Sequence, residues 1–140
     1  MASKETLTEF LRSEFPQTKC SIDEVGNQTA VVRHTVGKDE LRPGGTVSGP
    51  VMMTTADVAL YVAILGEIGL VPLAVTTNLT INFLRKPSCQ KDIIGKCSLI
   101  KVGRTLVVGE VELYSDGEEE PVAHVIGTYA IPPNKANNDT

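Results

Sequence analysis

One segment near the middle of the chain, Val51–Leu70, is almost entirely apolar and constrains the fold more than any other feature. Only Asp57 and Glu67 carry charge within it. A helix that is apolar on nearly all sides is a buried helix. Pro50 suits its first turn because proline needs no hydrogen-bond donor there, and Pro72 bars its continuation. We therefore expect a long helix that the rest of the domain encloses.

The chain before this segment predicts a short helix, two strands and a loop. Thr6–Glu9 has the pattern of a capping box, and apolar residues follow at helical spacing until Pro16. Two strands are predicted over Cys20–Val25 and Thr29–Val36. The stretch Leu41–Gly49 is rich in glycine and is expected to be a loop.

The residues after the segment change to a period of two, which is typical of strands. Val75–Phe83 alternates apolar and polar side chains and predicts a half-polar strand. Three further strands are predicted over Asp92–Lys101, Thr105–Tyr114 and Pro121–Ile131. We expect these four strands to form a meander.

This order of elements favours an α+β fold, in which one central helix is wrapped by a strongly curved antiparallel sheet of about six strands. With 140 residues, the chain has the size of a single domain. We expect that domain to cover residues 1–131 and a polar, disordered tail to cover residues 132–140. Because a single sheet leaves its edges exposed, pairing with a second copy of the chain is expected.

The composition argues against several classes of protein. A net charge of −4 disfavours nucleic-acid binding. No apolar run reaches the roughly 20 residues of a membrane span, and the N-terminal stretch lacks the apolar region of a signal peptide. The three cysteines have no paired spacing, so neither a disulfide framework nor a metal site is expected. The cytoplasm is the predicted location, and no membrane partner is expected.

Asp57 is the anomaly of the apolar segment, since an unpaired carboxylate is costly to bury. Enzymes use buried carboxyl groups as bases near neutral pH, which makes Asp57 a candidate catalytic residue. The alternative is structural: Asp57 bonds a neighbouring hydroxyl group or faces a subunit boundary.

The loop ahead of the helix supplies a second candidate, the backbone amide of Gly49. The first amides of a helix lack partners within the helix, and the helix dipole adds partial positive charge there. Such amides can stabilise a developing oxyanion. Pro50 has no N–H and cannot donate. A tight connection without catalytic function is the alternative interpretation of this loop.

Between Arg85 and Arg104 there are six cationic side chains and one anionic side chain, Asp92. In an acidic protein such a stretch can hold a small anionic ligand. The alternative is that these are solvated strand edges, which resist aggregation.

Two motifs resemble a known family. The residues RPGGTVSGP at 42–50, followed by ADVA at 56–59, are similar to the His-Gly-Gly-x6-Ala-Asp-x-Ala signature of PaaI-type hotdog thioesterases. The stretch TINFLRKP at 80–87 is similar to that family's strand and exit loop, and Gly103-Arg104 and Gly127-Thr128 fall at family positions. The resemblance covers most of the chain.

The resemblance implies a hotdog fold and hydrolysis of an acyl-CoA thioester. It assigns the oxyanion amide to Gly49 and the catalytic carboxylate to Asp57. It also implies that basic residues contact the coenzyme A phosphates, and the matching residues here are Arg85, Lys86 and Arg104. Ser48 stands at the position of the family's histidine, which implies a substrate-binding role for it. Coenzyme A enters only as part of the substrate, with no separate cofactor and no metal. The expected assembly is a homodimer, which pairs further into a tetramer.

The spacing of the two catalytic candidates gives an independent inference. Eight residues separate Gly49 from Asp57, or about 12 Å along one helix. A single thioester carbonyl group cannot touch both, so the two groups must come from different subunits if both act. Asp57 acts either as a general base on water or as a nucleophile that forms an anhydride.

Two other functions stay open at this point. A hotdog hydratase acting on enoyl thioesters usually needs an acid/base histidine, and Ser48 disfavours it. A non-catalytic acyl-CoA sensor or carrier is the second alternative, although a sensor would usually carry a DNA-binding helix-turn-helix.

Overall fold

The apolar segment forms the central helix of the domain, and all six strands of one sheet contact it. The computed structural model describes residues 2–133. Along the chain, the helices and strands are α1 Lys4–Glu14, β1 Cys20–Gly26, β2 Thr29–His34, β3 Leu41–Arg42, β4 Thr46–Val47, α2 Gly49–Ile68, β5 Val75–Phe83, β6 Ile93–Val102, β7 Leu106–Ser115 and β8 Ala123–Ala130. This arrangement confirms the predicted α+β hotdog fold.

The large sheet is antiparallel, with the strand order β1-β2-β6-β7-β8-β5. The predicted meander of four strands is therefore wrong in part. Only β6, β7 and β8 follow one another, because β6 pairs with β2 while β5 lies beyond β8. Alternation of side chains identifies a strand but carries no information about its partner. A separate pair, β3 and β4, lies within the stretch that was expected to be a loop.

The N-terminal helix starts earlier than predicted. The hydroxyl group of Ser3, not that of Thr6, caps α1 and accepts a hydrogen bond from the Thr6 amide at 3.2 Å. The predicted capping box is wrong because this earlier cap already satisfies the free amide at Thr6. Leu7 and Leu11 are buried on one face of α1, which holds the helix against the core.

The central helix begins two residues earlier than predicted, at Gly49, and ends at Ile68. Gly69 ends it with a φ of 94°, a left-handed conformation that favours glycine. By length and composition α2 could cross a membrane, with a mean hydropathy of 1.6, which the sequence prediction did not anticipate. In this domain 61% of that stretch is buried, and α2 is the core helix.

The side chain of Leu60 packs into a notch in the sheet, which exists because two facing residues, Gly109 on β7 and Gly127 on β8, have no side chains. The two glycines pair directly across the strands. A Cβ atom at Gly109 would lie 2.7 Å from a Leu60 methyl group, and one at Gly127 would lie closer still. Leu60 is fully buried there. Any larger residue at either glycine would push α2 away from the sheet.

The edge strand β5 is exposed along most of its length, including Val75 at 55% and Phe83 at 53%. The predicted alternation of apolar and polar side chains along β5 is correct. Because β5 lies at the edge of the sheet, however, both its apolar and its polar side chains are exposed. The opposite edge, β1, has a bulge between Ile22 and Glu24, a feature that discourages further pairing. Residues 134–140 of the predicted tail lie outside the described residues.

Candidate active site

The carboxylate of Asp57 lies half-buried in the middle of α2 and accepts two hydrogen bonds on the same oxygen. The Tyr129 hydroxyl donates to Oδ1 at 2.6 Å, and the Thr76 hydroxyl donates to Oδ1 at 2.7 Å. Tyr129 also approaches the Asp57 backbone carbonyl at 3.2 Å. Within residues 2–133, Oδ2 accepts no hydrogen bond from the protein, so it is the oxygen available for chemistry.

Tyr129 is suited to be a permanent donor to this carboxylate. The side chain is 3% exposed. Burial, followed by the hydrogen bond and negative charge of Asp57, raises the pKa of the Tyr129 hydroxyl above its ordinary value. The hydroxyl group therefore stays protonated at neutral pH and holds Oδ1 in place.

Asp57 borders a cavity of 760 Å³. The cavity lies between the C-terminal end of α1, the middle of α2 and the first residues of β5, and both Thr76 and Tyr129 line it. Its volume falls within the range of about 300–1,000 Å³ that is typical of small-molecule sites. A substrate can therefore reach the carboxylate from this side.

The start of α2 presents one free amide, that of Gly49. The Ser48 hydroxyl accepts a hydrogen bond from the Val51 amide at 3.3 Å, and Pro50 has no N–H. Among residues 2–133, the Gly49 amide has no acceptor. A Cβ atom at this position would lie 3.3 Å from Cζ of Phe83, so a side chain here would crowd that ring.

Ser48 is half-buried and caps α2 with its side chain. This hydrogen bond is a structural role that the sequence did not reveal. Its predicted contact with the substrate stays a prediction.

The loop that carries Gly49 is fastened by Glu40, which sequence reasoning missed. The Glu40 carboxylate accepts hydrogen bonds from the Gly37 amide and the Lys19 ammonium group, both at 2.7 Å. Its backbone carbonyl accepts the Ser48 amide at 3.0 Å. The hydrogen bond from Lys19 lowers the pKa of Glu40. Glu40 thus fixes the chain immediately ahead of α2.

A single subunit does not bring Gly49 and Asp57 together. Gly49 lies near Phe83 at the end of β5, whereas Asp57 is bonded to Thr76 at its start. Seven residues of extended strand separate these ends by about 23 Å. The two catalytic candidates therefore face opposite ends of the edge strand.

The basic residues are separated in the same way. Arg85 and Lys86 follow the Phe83 end of β5, where Arg85 pairs with Glu120 at 2.6 Å. Arg104 is exposed in the turn between β6 and β7, at the Val75 end of the sheet. One chain therefore holds Arg85 and Lys86 at one end of the sheet and Arg104 at the other, and their predicted contacts with phosphate stay a prediction.

Sequence reasoning also missed Thr76 and Tyr129. Thr76 was seen only as part of an alternating strand, and Tyr129 lies 72 residues from Asp57 in the chain. The available signal for Tyr129 was its place on the inward face of a predicted strand, where a buried hydroxyl group needs a partner. Asp57 was the one charged side chain in the middle of the helix that this face covers.

A family model described as the thioesterase superfamily matches residues 44–122, more than half of the chain. The chain belongs to the thioesterase superfamily. The predicted activity of a thioester hydrolase is thereby confirmed, as is the resemblance to hotdog thioesterases at the level of family and fold.

Solved structures share the fold of this thioesterase. A candidate thioesterase from Silicibacter sp. TM1040 is 45% identical over 94% of this chain and 92% of its own, with a TM-score of 0.87. The PaaI protein of the E. coli phenylacetic acid degradation operon is 21% identical over 91% and 92%, with a TM-score of 0.73. A thioesterase protein of Streptococcus pneumoniae TIGR4, solved with coenzyme A, is 22% identical over 82% and 87%, with a TM-score of 0.72. No curated protein sequence matches the chain.

Proposed function

We propose that this thioesterase hydrolyses an acyl-CoA to a free acid and coenzyme A, at a site shared between two subunits. One observation carries the proposal. Gly49 and Asp57 lie at opposite ends of an exposed edge strand, so each subunit holds one half of a site at either end of β5.

Antiparallel pairing of two β5 strands would join these halves. If a twofold axis passes near Leu79, the midpoint of β5, the Thr76 end of one strand lies beside the Phe83 end of the other. Asp57 of one subunit then lies close to Gly49 of its partner. The exposed backbone of β5 supports this pairing, because an uncovered strand edge readily pairs with another chain.

In the shared site, the Gly49 amide donates to the thioester carbonyl oxygen and stabilises the negative charge that develops on it. Oδ2 of Asp57 either removes a proton from the attacking water or attacks the carbonyl carbon itself. The C–S bond then breaks and coenzyme A leaves as the thiol. When Asp57 acts as a base, it passes the proton taken from water to the departing sulfur; when it acts as a nucleophile, a water molecule hydrolyses the anhydride and supplies the protons. Thr76 and Tyr129 are positioning residues, since they hold Oδ1 and leave Oδ2 directed at the substrate.

The basic side chains support coenzyme A as the leaving group. Pairing through β5 would place Arg85 and Lys86 of one subunit near Arg104 of the other, which restores the predicted phosphate site. Phosphate binding at a distance from the reacting carbon chiefly contributes uniform binding of the substrate. The relative of this fold that was solved with coenzyme A is consistent with such a ligand.

Replacement of the carboxylate tests the proposal directly. We expect Asp57→Asn to lower kcat for release of coenzyme A thiol by about 10²–10⁴, because that is the usual contribution of a general base. Asp39→Asn is the matched control, since Asp39 is 87% exposed and lies outside the cavity. Both variants should keep the circular dichroism spectrum of the wild type. If Asp57→Asn retained most of the wild-type kcat, the carboxylate would have no part in the mechanism.

A further inference from the structure

The cavity beside Asp57 has one wall that the proposed chemistry does not use. This wall is formed by the C-terminal end of α1 and the residues that follow it, from Leu11 to Thr18. Its Phe15 ring contacts Tyr61 of α2, one turn beyond Asp57. Whatever group is attached to the thioester carbon on this side must fit against this wall.

Phe15 is the aromatic side chain of this wall, and it begins a row of three rings that lines the cavity. The rings of Phe15 and Tyr61 meet edge to face with their centroids 5.8 Å apart, and Tyr61 lies 6.1 Å from Tyr129. Tyr61 donates its hydroxyl group to the Pro72 carbonyl at 3.2 Å, so its ring is held rigidly. These rings form an apolar path from α1 to the carboxylate that Tyr129 holds. Such a surface favours burial of an apolar group.

The charge of the cavity is negative at both ends. Glu14 lines it at the α1 wall and Asp57 at the catalytic side, and no Lys, Arg or His occurs among its lining residues in the described part of the chain. Burial, with the negative charge of Glu14 as a further cause, raises the pKa of Tyr61. A ligand carboxylate entering here would meet like charge and no cation.

We propose that this cavity holds the acyl group of the substrate, and that Phe15 and Glu14 select it. Phe15 favours a bulky apolar acyl group over a short one, and Glu14 rejects an acyl group that ends in a carboxylate. The inference rests on the proposed hydrolysis of acyl-CoA and adds the substrate class: uncharged, apolar acyl groups that fill a cavity of 760 Å³. Selection against charge needs only a repulsive group at the far wall.

The wild-type enzyme gives the first test, without any variant. Three substrates are compared by kcat/KM for thiol release: octanoyl-CoA, acetyl-CoA, and octanedioyl-CoA, which is the octanoyl chain with a terminal carboxylate. We expect octanoyl-CoA to exceed each of the others at least about 10-fold, a discrimination typical of an apolar pocket. If no acyl-CoA is hydrolysed, the proposed function itself is wrong. If hydrolysis occurs but the three rates are alike, only the assignment of the cavity is wrong.

The charge test uses Glu14→Gln with Glu5→Gln as its matched control. Glu5 lies in the first turn of the same helix, is exposed, and is not part of the cavity. Glu14→Gln should raise kcat/KM for octanedioyl-CoA about 5- to 10-fold relative to octanoyl-CoA, because one of the two repulsive charges is removed. Glu5→Gln should leave this ratio unchanged. An unchanged ratio in Glu14→Gln would overturn the role of Glu14.

The size test uses Phe15→Ala with Phe10→Ala as its control. Phe10 contacts the same aromatic rings but does not line the cavity. Phe15→Ala should lower kcat/KM for octanoyl-CoA about 10-fold while that for acetyl-CoA stays within twofold of the wild type. Phe10→Ala should lower Tm without changing this ratio. Phe15→Leu provides the same comparison if the alanine variant does not fold, and equal losses on both substrates would contradict the proposal.

Discussion

At the scale of single residues, the hydrogen bonds of Asp57 decide what its carboxylate can do. Both hydroxyl donors occupy Oδ1. A hydrogen bond to a charged group contributes about 1.5–3 kcal/mol, so two of them fix the rotation of the side chain. Oδ1 is thereby held by the two hydroxyl groups, whereas the lone pairs of Oδ2 have no protein donor within residues 2–133.

Tyr129→Phe should therefore lower kcat about 10-fold while the ring and its packing stay in place. Loss of this donor leaves Oδ1 with only the hydrogen bond from Thr76, so the carboxylate is held less firmly in place. Tyr61→Phe is the matched control, because the Tyr61 hydroxyl group donates to Pro72 and not to Asp57. A Tyr129→Phe variant with wild-type kcat would limit Tyr129 to packing.

At the scale of elements, the position of Gly49 depends on a short stretch that is held by ionic and backbone bonds. Gly44 and Gly45 have φ values of 100° and 77°, which turn the chain between β3 and β4. Glu40 then joins Lys19, Gly37 and Ser48 around this turn. An element this short buries little apolar surface, so these polar contacts set its geometry.

Glu40→Gln should lower Tm by several degrees near neutral pH and lower kcat with it. The Lys19 hydrogen bond lowers the pKa of Glu40 in the folded state, so the ionised carboxylate stabilises the fold above its unfolded pKa. That stabilisation is lost as the pH falls through the folded pKa. The Tm difference from wild type should thus shrink in acid, as measured by calorimetry across pH. Asp39→Asn, which removes a more exposed partner of Lys19, should show a much smaller effect at every pH.

The elements also show which parts of this molecule are predictable from sequence. The central helix follows from a continuous apolar segment between two prolines, and the β5 strand follows from alternation with a period of two. Asp57 and Gly49 follow from a charge in an apolar helix and a free amide at its start. The place of β5 beside β8 and the hydroxyl partners of Asp57 depend on contacts between distant residues. Thr76 and Tyr129 lie 19 and 72 residues from Asp57, and no local pattern encodes such pairings.

At the scale of the whole molecule, the proposed shared site would make each subunit incomplete on its own. Asp57→Asn and Gly49→Val, which crowds the amide against Phe83, should each be inactive alone. In a mixed dimer of the two variants, one site receives the wild-type form of both residues from opposite chains, and the other receives both defects. Co-expressed, differently tagged variants should therefore recover up to about half of the wild-type activity per dimer, if the two sites work independently.

The control for this experiment is that each variant alone is folded and dimeric, as measured by analytical ultracentrifugation. Purified mixed dimers that stay inactive would refute the cross-subunit pairing of Gly49 and Asp57.

The notch beneath Leu60 has a consequence for how accurately the carboxylate of Asp57 is placed. Asp57 precedes Leu60 by three residues, about 4.5 Å along the helix axis. Because Leu60 enters the space left by Gly109 and Gly127, α2 cannot slide or turn on the sheet without lifting out of it. The notch thus holds α2 at one position on the sheet, and this position sets the distance between Asp57 on the helix and Tyr129 on β8. The absence of side chains at Gly109 and Gly127 therefore limits how far Asp57 can move relative to Tyr129.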